Sequence, residues 1–309
     1  MKPLHDVTPY VPHRGLAPAM GRDTWVKLDC HQPTGSFKIR GIGRLCQGLS
    51  AEGARALVSS SGGNAGYAAA YAGRALGVRV TVVTPSTTPD FMRDKIAALG
   101  AQVIVEGDVW DKADALARAI ASRGEAAYVS PFDHPLIWEG HASLVDEIAA
   151  RGPAPDAIVV AVGGGGLLCG VAEGLERNGL KDTVIVAVET EGAACLARSL
   201  AAGEIVTLDG IDTIASSLGA RRLSDRAFGW TQTRPVVSAV VSDADAVRAC
   251  KRFADDHLAL VEPACGAALS LAYDHHPVLR PFKCVAVIAC GGAVVSLERL
   301  AAWSTRFGV

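Results

Sequence analysis

The sequence predicts an α/β protein of two open sheets covered by helices, and three observations carry that expectation. Short runs rich in β-branched residues alternate with helical segments from residue 24 onward, the pattern of parallel strands joined by crossover helices. The alternation starts afresh at residue 157, after a helical stretch over 134–150, so two α/β domains fit better than one sheet. Two strand-to-helix junctions, at 60–66 and 162–167, are crowded with glycine.

Residues 24–29 read as a strand, followed by a loop ending in Lys38 and a helix to about Leu49. Strand 56–59, a glycine-rich turn and an alanine-rich helix over 67–76 come next. Then follow strand 78–83, helix 89–99, strand 102–105, helix 109–122, strand 127–129 and helix 134–150. The second series has strand 157–162, a glycine loop, helix 167–177, strand 184–188 and helix 192–202. The last part reads as strand 235–240, helices 243–257 and 263–274, strand 284–289, and a helix to the end.

Composition narrows the function. The 309 residues are half hydrophobic, with 30 Lys+Arg against 32 Asp+Glu, so neither a nucleic-acid surface nor an acidic tail is expected. The first residues lack the apolar centre of a signal peptide, and no apolar run reaches membrane-spanning length. Eight cysteines are scattered with no C-x-x-C pair, which reads as reduced thiols in a cytoplasmic protein, not a disulfide frame or a zinc site.

Four stretches carry chemistry. In Pro33-Thr34-Gly35-Ser36-Phe37-Lys38, Ser36 can cap a helix and place Lys38 in its first turn. There the positive end of the dipole disfavours an ammonium and favours the neutral amine that a nucleophilic lysine needs. The plain alternative is a surface lysine on an ordinary helix. Gly163-Gly164-Gly165-Gly166-Leu167 follows a strand and opens a helix, so consecutive N–H groups can converge on a phosphate. The glycines are contiguous, unlike the dinucleotide fingerprint, and no Gly-Lys-Ser/Thr of a P-loop is present. Ser61-Gly62-Gly63-Asn64-Ala65 is a second such turn, fit to hold a carboxylate, or else a polar loop of no function. Cys290 ends an apolar strand before Gly291-Gly292, where open α/β sheets place ligand contacts, although such cysteines are often inert packing. A reactive lysine, a phosphate cup, a carboxylate loop and a polarisable group at a strand end together suit pyridoxal phosphate.

With these motifs the chain resembles the L-serine dehydratase/L-threonine deaminase family of fold-type-II pyridoxal-phosphate enzymes, in its serine-dehydratase-like branch. The resemblance rests on residues 32–43, 60–66, 83–89, 131–143, 162–170, 261–269 and 290–292. It implies a tryptophan synthase β-like fold, with a large cofactor domain of residues 1–38 plus 139–309 and a small domain of 39–138. It further implies that Lys38 forms the Schiff base, that Phe37 packs on the ring, that Asn64 meets the ring hydroxyl and that Cys290 faces the pyridine nitrogen. Gly163, Gly164, Gly165, Gly166 and Leu167 would hold the phosphate. Ser61, Gly62, Asn64 and Ala65 would take the carboxylate of a small amino acid, with Ser61 also counted as catalytic. A monovalent-cation site, expected to take K+, maps onto Gly163, Glu189, Ala193, Leu218 and Ala220. For Glu189 the alternative is a salt bridge or a polar strand end.

The implied reaction is the deamination of L-serine to pyruvate and ammonia, and of L-threonine to 2-oxobutanoate. The resemblance leaves room for a homodimer. A serine racemase, a β-replacement enzyme or a non-catalytic binding protein on the same scaffold are the competing expectations. Two departures from the family pattern stand out. Gly62 stands where one branch has alanine, and Ala293-Val294 replace a Ser-Asn pair after Cys290-Gly291-Gly292.

Overall fold

A computed structural model describes residues 1–16 and 22–309. In chain order its elements begin with β1 (Tyr10–Pro12), β2 (Asp23–Lys27), α1 (Lys38–Ala51), β3 (Ala56–Ser59), α2 (Asn64–Leu76), β4 (Arg79–Thr84) and α3 (Asp90–Ala98). Next come β5 (Gln102–Val105), α4 (Trp110–Ser122), β6 (Ala127–Val129), α5 (Pro135–Arg151), β7 (Ala157–Ala161), α6 (Gly166–Arg177) and β8 (Val184–Thr190). The chain closes with α7 (Cys195–Ala202), α8 (Asp225–Thr233), β9 (Val236–Val241), α9 (Asp243–His257), α10 (Pro263–Tyr273), β10 (Cys284–Ile288) and α11 (Leu297–Phe307).

Two elements were not foreseen. β1 is three residues ending in Pro12, too short to show alternation, and α8 carries few apolar residues around Gly229. The single helix expected over 192–202 is instead a 3₁₀ turn, Glu191–Ala193, followed by α7. The cause is a close approach: a Cβ on Gly192 would lie 1.6 Å from the Asp212 carbonyl oxygen.

The chain divides into two compact units, Met1–Asp6 with Gln32–Gly140, and Val7–His31 with His141–Val309. Residues 1–6, 32–38 and 139–140, which the resemblance groups with the large domain, fall in the first of these, where α1 starts at Lys38 and packs along α2.

The first unit is built on a parallel sheet in the order β5-β4-β3-β6. Its central strands β3 and β4 are largely buried on both faces, so Leu57, Val58, Val82 and Val83 read as apolar runs without alternation. α2 presents Ala65, Ala68, Ala69 and Ala72 to the core, which also takes Ile39, Ile42 and Leu45 from α1. The helix stops at Gly77, whose φ of +66° turns the chain left-handed before β4.

The second unit has a six-stranded sheet in the order β1-β2-β10-β7-β8-β9, with only β1 antiparallel. All of β7 is buried. α9 opens with a capping box in which Ser242 and Asp245 satisfy each other's backbone N–H groups. α10 is buried along its whole length, and small residues allow it: a Cβ on Gly266 would lie 2.1 Å from the Ala246 carbonyl oxygen of α9.

A buried charge cluster fixes the start of this unit. Lys27 has no exposed surface; its Nζ lies 2.6 Å from Glu147 Oε2, 3.5 Å from Asp29 Oδ1 and 2.9 Å from the Thr8 carbonyl oxygen. Removing one member of such a set leaves an uncompensated buried charge, which costs about 3–5 kcal/mol.

Two buried imidazoles sit where the chain leaves β1. His13 Nδ1 is 3.5 Å from His257 Nε2, and both rings are buried against Tyr273 or Phe253. Burial, then the neighbouring His257, lowers His13 from its ordinary 6.5 to about 4, and burial also lowers His257. The folded state therefore prefers both rings neutral, while the unfolded chain takes up protons below 6.5. Stability is expected to fall as pH drops from 6.5 towards 4 and to level off below that, and His13→Asn should flatten the slope. Urea denaturation at stepped pH checks this.

Candidate active site

The predicted site residues fall in two sets, one in each unit. In the first unit, Lys38 is the first residue of α1, half-buried, with Nζ donating to the Pro131 carbonyl oxygen at 2.7 Å and lying 5.2 Å from the Phe37 ring centroid. The lysine stands in the first turn, as expected, but the capping is different. Phe37 occupies the N-cap with no side-chain cap bond, while Ser36 Oγ is buried without a hydrogen-bond partner. Phe37 is already helical at φ −53°, ψ −21°, which shifts the boundary one residue past the expected cap. The N-terminal amides of α1 thus carry their partial positive charge beside Lys38.

The serine-glycine turn is held from several sides. Ser61 Oγ accepts from Gly63 N–H at 3.3 Å, and Asn64, buried, begins α2 with Ala65 behind it. A Cβ on Gly66 would lie 1.7 Å from the Ser61 carbonyl oxygen, so only glycine lets α2 pass that close. Gly62 lies against Thr88, whose Oγ1 would sit 2.2 Å from a Cβ there.

In the second unit, Gly163–Gly166 join β7 to α6. Gly165 is the N-cap with φ +93°, and a Cβ on it would meet the Ala227 Cβ at 2.3 Å. Gly163 lies against Leu218 and Ser217, and the Gly164 carbonyl accepts from Ser224 N–H at 3.1 Å. The first α6 bond runs from Cys169 N–H to the Gly165 carbonyl at 2.9 Å. Among the described residues no acceptor meets the backbone N–H groups of Gly164, Gly165, Gly166 or Leu167. Bare amides at a helix start form an anion cradle, and they suit a phosphate.

Cys290 lies two residues past β10, is buried, and its N–H bonds the Ile288 carbonyl at 2.9 Å. A hydrogen bond with the Cys265 thiol, and then burial, hold the Cys290 thiol well above its usual range, so it stays protonated. Gly292, at φ +141°, lies so close to Glu262 that a Cβ would be 2.1 Å from its carboxyl carbon. Cys265 falls within the stretch Val261–Leu269, yet its role depends on a tertiary contact that spacing does not show.

Of the expected cation set, the structure brings Gly163 beside Leu218, and links Gly163 to Glu189 through Cys195, whose Sγ is 3.8 Å from the Gly163 carbonyl oxygen. Glu189 is wholly buried and accepts from the α7 amides of Leu196 at 2.7 Å and Ala197 at 2.8 Å. Burial, opposed by those two amides, raises it from 4.5 to about 7. No salt bridge to Glu189 occurs among the described residues. The Leu218 carbonyl accepts from Ala220 N–H at 2.7 Å, and Ala193 is buried in the 3₁₀ turn after β8. All eight cysteines are free thiols.

A family profile described as pyridoxal-phosphate dependent enzyme matches residues 1–291. The human L-serine dehydratase/L-threonine deaminase is 43% identical over 318 residues, covering 100% of this chain and 97% of that protein. The human serine dehydratase-like protein is 45% identical over 319 residues, covering 99% of this chain and 96% of that one. The crystal structure of a fungal L-serine ammonia-lyase from Rhizomucor miehei matches with a TM-score of 0.94 and 36% identity, over 99% of this chain and 100% of its own.

The cradle requires glycine at 165. Gly165→Ala combines a left-handed backbone with a clash, whereas Gly203→Ala, at φ +73° with open space around it, carries the backbone cost alone. The first is expected to lower unfolding free energy by about 1–3 kcal/mol beyond the second. Parallel urea titrations of both variants check the difference.

Proposed function

The chain belongs to the family of pyridoxal-phosphate-dependent enzymes, and on that premise we propose that it is a lyase that deaminates L-serine to pyruvate and ammonia and L-threonine to 2-oxobutanoate. The observation that carries the reading is the set of bare amides at Gly164–Leu167, a phosphate cradle in a chain that also places a lysine at a helix start.

The residues present fit the cofactor. Lys38 would hold its aldehyde carbon, Phe37 its ring face, Asn64 its ring hydroxyl, the 163–167 backbone its phosphate and Cys290 its ring nitrogen. When bound, pyridoxal phosphate supplies a sink for the electron pair left at the amino acid's Cα.

The remaining work is done by side chains and backbone. Ser61, Gly62, Asn64 and Ala65 orient the substrate carboxylate through N–H and side-chain donors. Lys38, as a neutral amine, would take the Cα proton, and the helix start at which it stands favours that neutral form. Cys290, protonated, brings no negative charge to the ring nitrogen, which weakens the sink. With the sink weakened by the neutral Cys290, loss of the β-hydroxyl would be favoured over return of the Cα proton from Lys38, which separates deamination from racemisation. The β-hydroxyl departs with a proton as water, and hydrolysis of the released enamine gives the keto acid and ammonia.

The same reading includes a K+ held by Gly163, Glu189, Ala193, Leu218 and Ala220. What supports it is Glu189, a buried carboxylate with no cationic side-chain partner among the described residues, linked through the Cys195 thiol to the Gly163 carbonyl oxygen. Oxygen donors suit a hard monovalent ion. The free thiols support a reducing cytoplasmic setting, and a homodimer is the assembly to be checked by light scattering.

Purified protein is expected to carry a visible chromophore and to form pyruvate from L-serine, with chiral analysis showing no D-serine. Lys38→Ala should lose the lysine-bound absorbance and cut turnover by at least about 10³-fold, since a nucleophile and a base go together. A variant that still forms pyruvate at the wild-type rate refutes the assignment. For the ion, replacing NaCl by KCl should raise Tm above pH 7, where Glu189 is ionised, and less at pH 5. Glu189→Gln should remove the difference.

A further inference from the structure

The serine that precedes the carboxylate turn is tied into a buried network no part of the reaction uses. Ser60, with no exposed surface, donates its Oγ hydrogen to Asp114 Oδ1 at 2.6 Å. Tyr128, from β6, donates to the same oxygen at 2.5 Å, and its hydroxyl is 3.3 Å from Ser60 Oγ. Arg118, one turn further along α4, donates Nε to Asp114 Oδ2 at 2.7 Å, while its guanidinium lies 4.4 Å from the Tyr128 ring centroid. One carboxylate thus gathers donors from the β3 exit, from β6 and from α4.

The carboxylate is costly where it stands. Asp114 is buried beside Ala113 and Ala117, which are wholly buried, on a helix face where an apolar residue would pack without penalty. Burial alone would raise it; the bonds from Ser60, Tyr128 and Arg118 outweigh that and hold it below its usual range. A satisfied buried network rigidifies what it touches, and here it touches the residue next to Ser61. Ser60 cannot rotate without breaking the network, and the Ser61 carbonyl is already pressed against Gly66. The backbone on both sides of Ser61 is thereby held before any ligand arrives.

We propose that Asp114, acting through Ser60 and braced by Tyr128, is a positioning residue for binding of the substrate carboxylate at the Ser61–Ala65 turn. The inference rests on the deaminase reading given above. Loss of preorganisation weakens binding of ligands that carry a carboxylate and spares those that do not.

The test uses the soluble holoenzyme and three variants, Asp114→Asn, Ser60→Ala and the milder Tyr128→Phe. KM for L-serine and the inhibition constant of L-alanine, which has no β-hydroxyl to lose, are measured beside that of L-alaninamide. In Ser60→Ala and Asp114→Asn both carboxylate constants are expected to rise about tenfold, the effect of one lost charge-assisted contact, with kcat changing far less. Tyr128→Phe should raise them about threefold, and the alaninamide constant should not move. Equal weakening of L-alanine and L-alaninamide, or an unchanged KM in all soluble variants, overturns the role of the network alone. A wild type that converts neither L-serine nor L-threonine overturns the deaminase reading with it. If Asp114→Asn does not fold, the Tyr128→Phe and Ser60→Ala constants decide.

Discussion

The second unit depends on keeping four backbone amides at the start of α6 without an acceptor. Doing so requires that β7 run straight into the helix with no side chain in the way. Gly163 lies against Leu218, Gly165 adopts a left-handed backbone against Ala227, and the Gly164 carbonyl is used to anchor α8 through Ser224. An unpaired amide is expensive when buried, so the arrangement makes physical sense where an anion comes to it. The glycines are therefore constrained twice, by what packs behind them and by what they present in front.

Most of the architecture was legible because most parallel strands are short apolar runs and each crossover helix has its own period. β3, β5, β6 and α9 fall on the expected residues, and other boundaries move by a few residues. What stayed hidden was short or locally unconvincing. β1 has three residues, α8 mixes polar residues with Gly229, and the break before α7 comes from the Asp212 backbone approaching Gly192, a partner twenty residues away in sequence. The N-cap of α1 followed the same logic, for Phe37 enters the helix early and leaves the Ser36 hydroxyl enclosed.

The candidate site was legible wherever local backbone chemistry determines it. A lysine at a helix start and a run of glycines after a strand announce themselves in one dimension. The supports do not. Cys265 beside Cys290, Cys195 linking Glu189 to Gly163, and Asp114 behind Ser60 are each set by packing of elements distant in sequence. Sequence reading finds the groups that meet a ligand more readily than the groups that hold those in place, because the latter have no motif of their own.

The contact between Gly62 and Thr88 constrains how such a chain can diversify. A methyl group added at the first position collides with the threonine side chain, so the two sites are not independent variables. An alanine there requires the threonine or its loop to shift, so a change at either position alters what the other tolerates. The Ser61–Ala65 turn is thus held in its present form partly by a neighbour on a different loop, and its history would be written in both positions together.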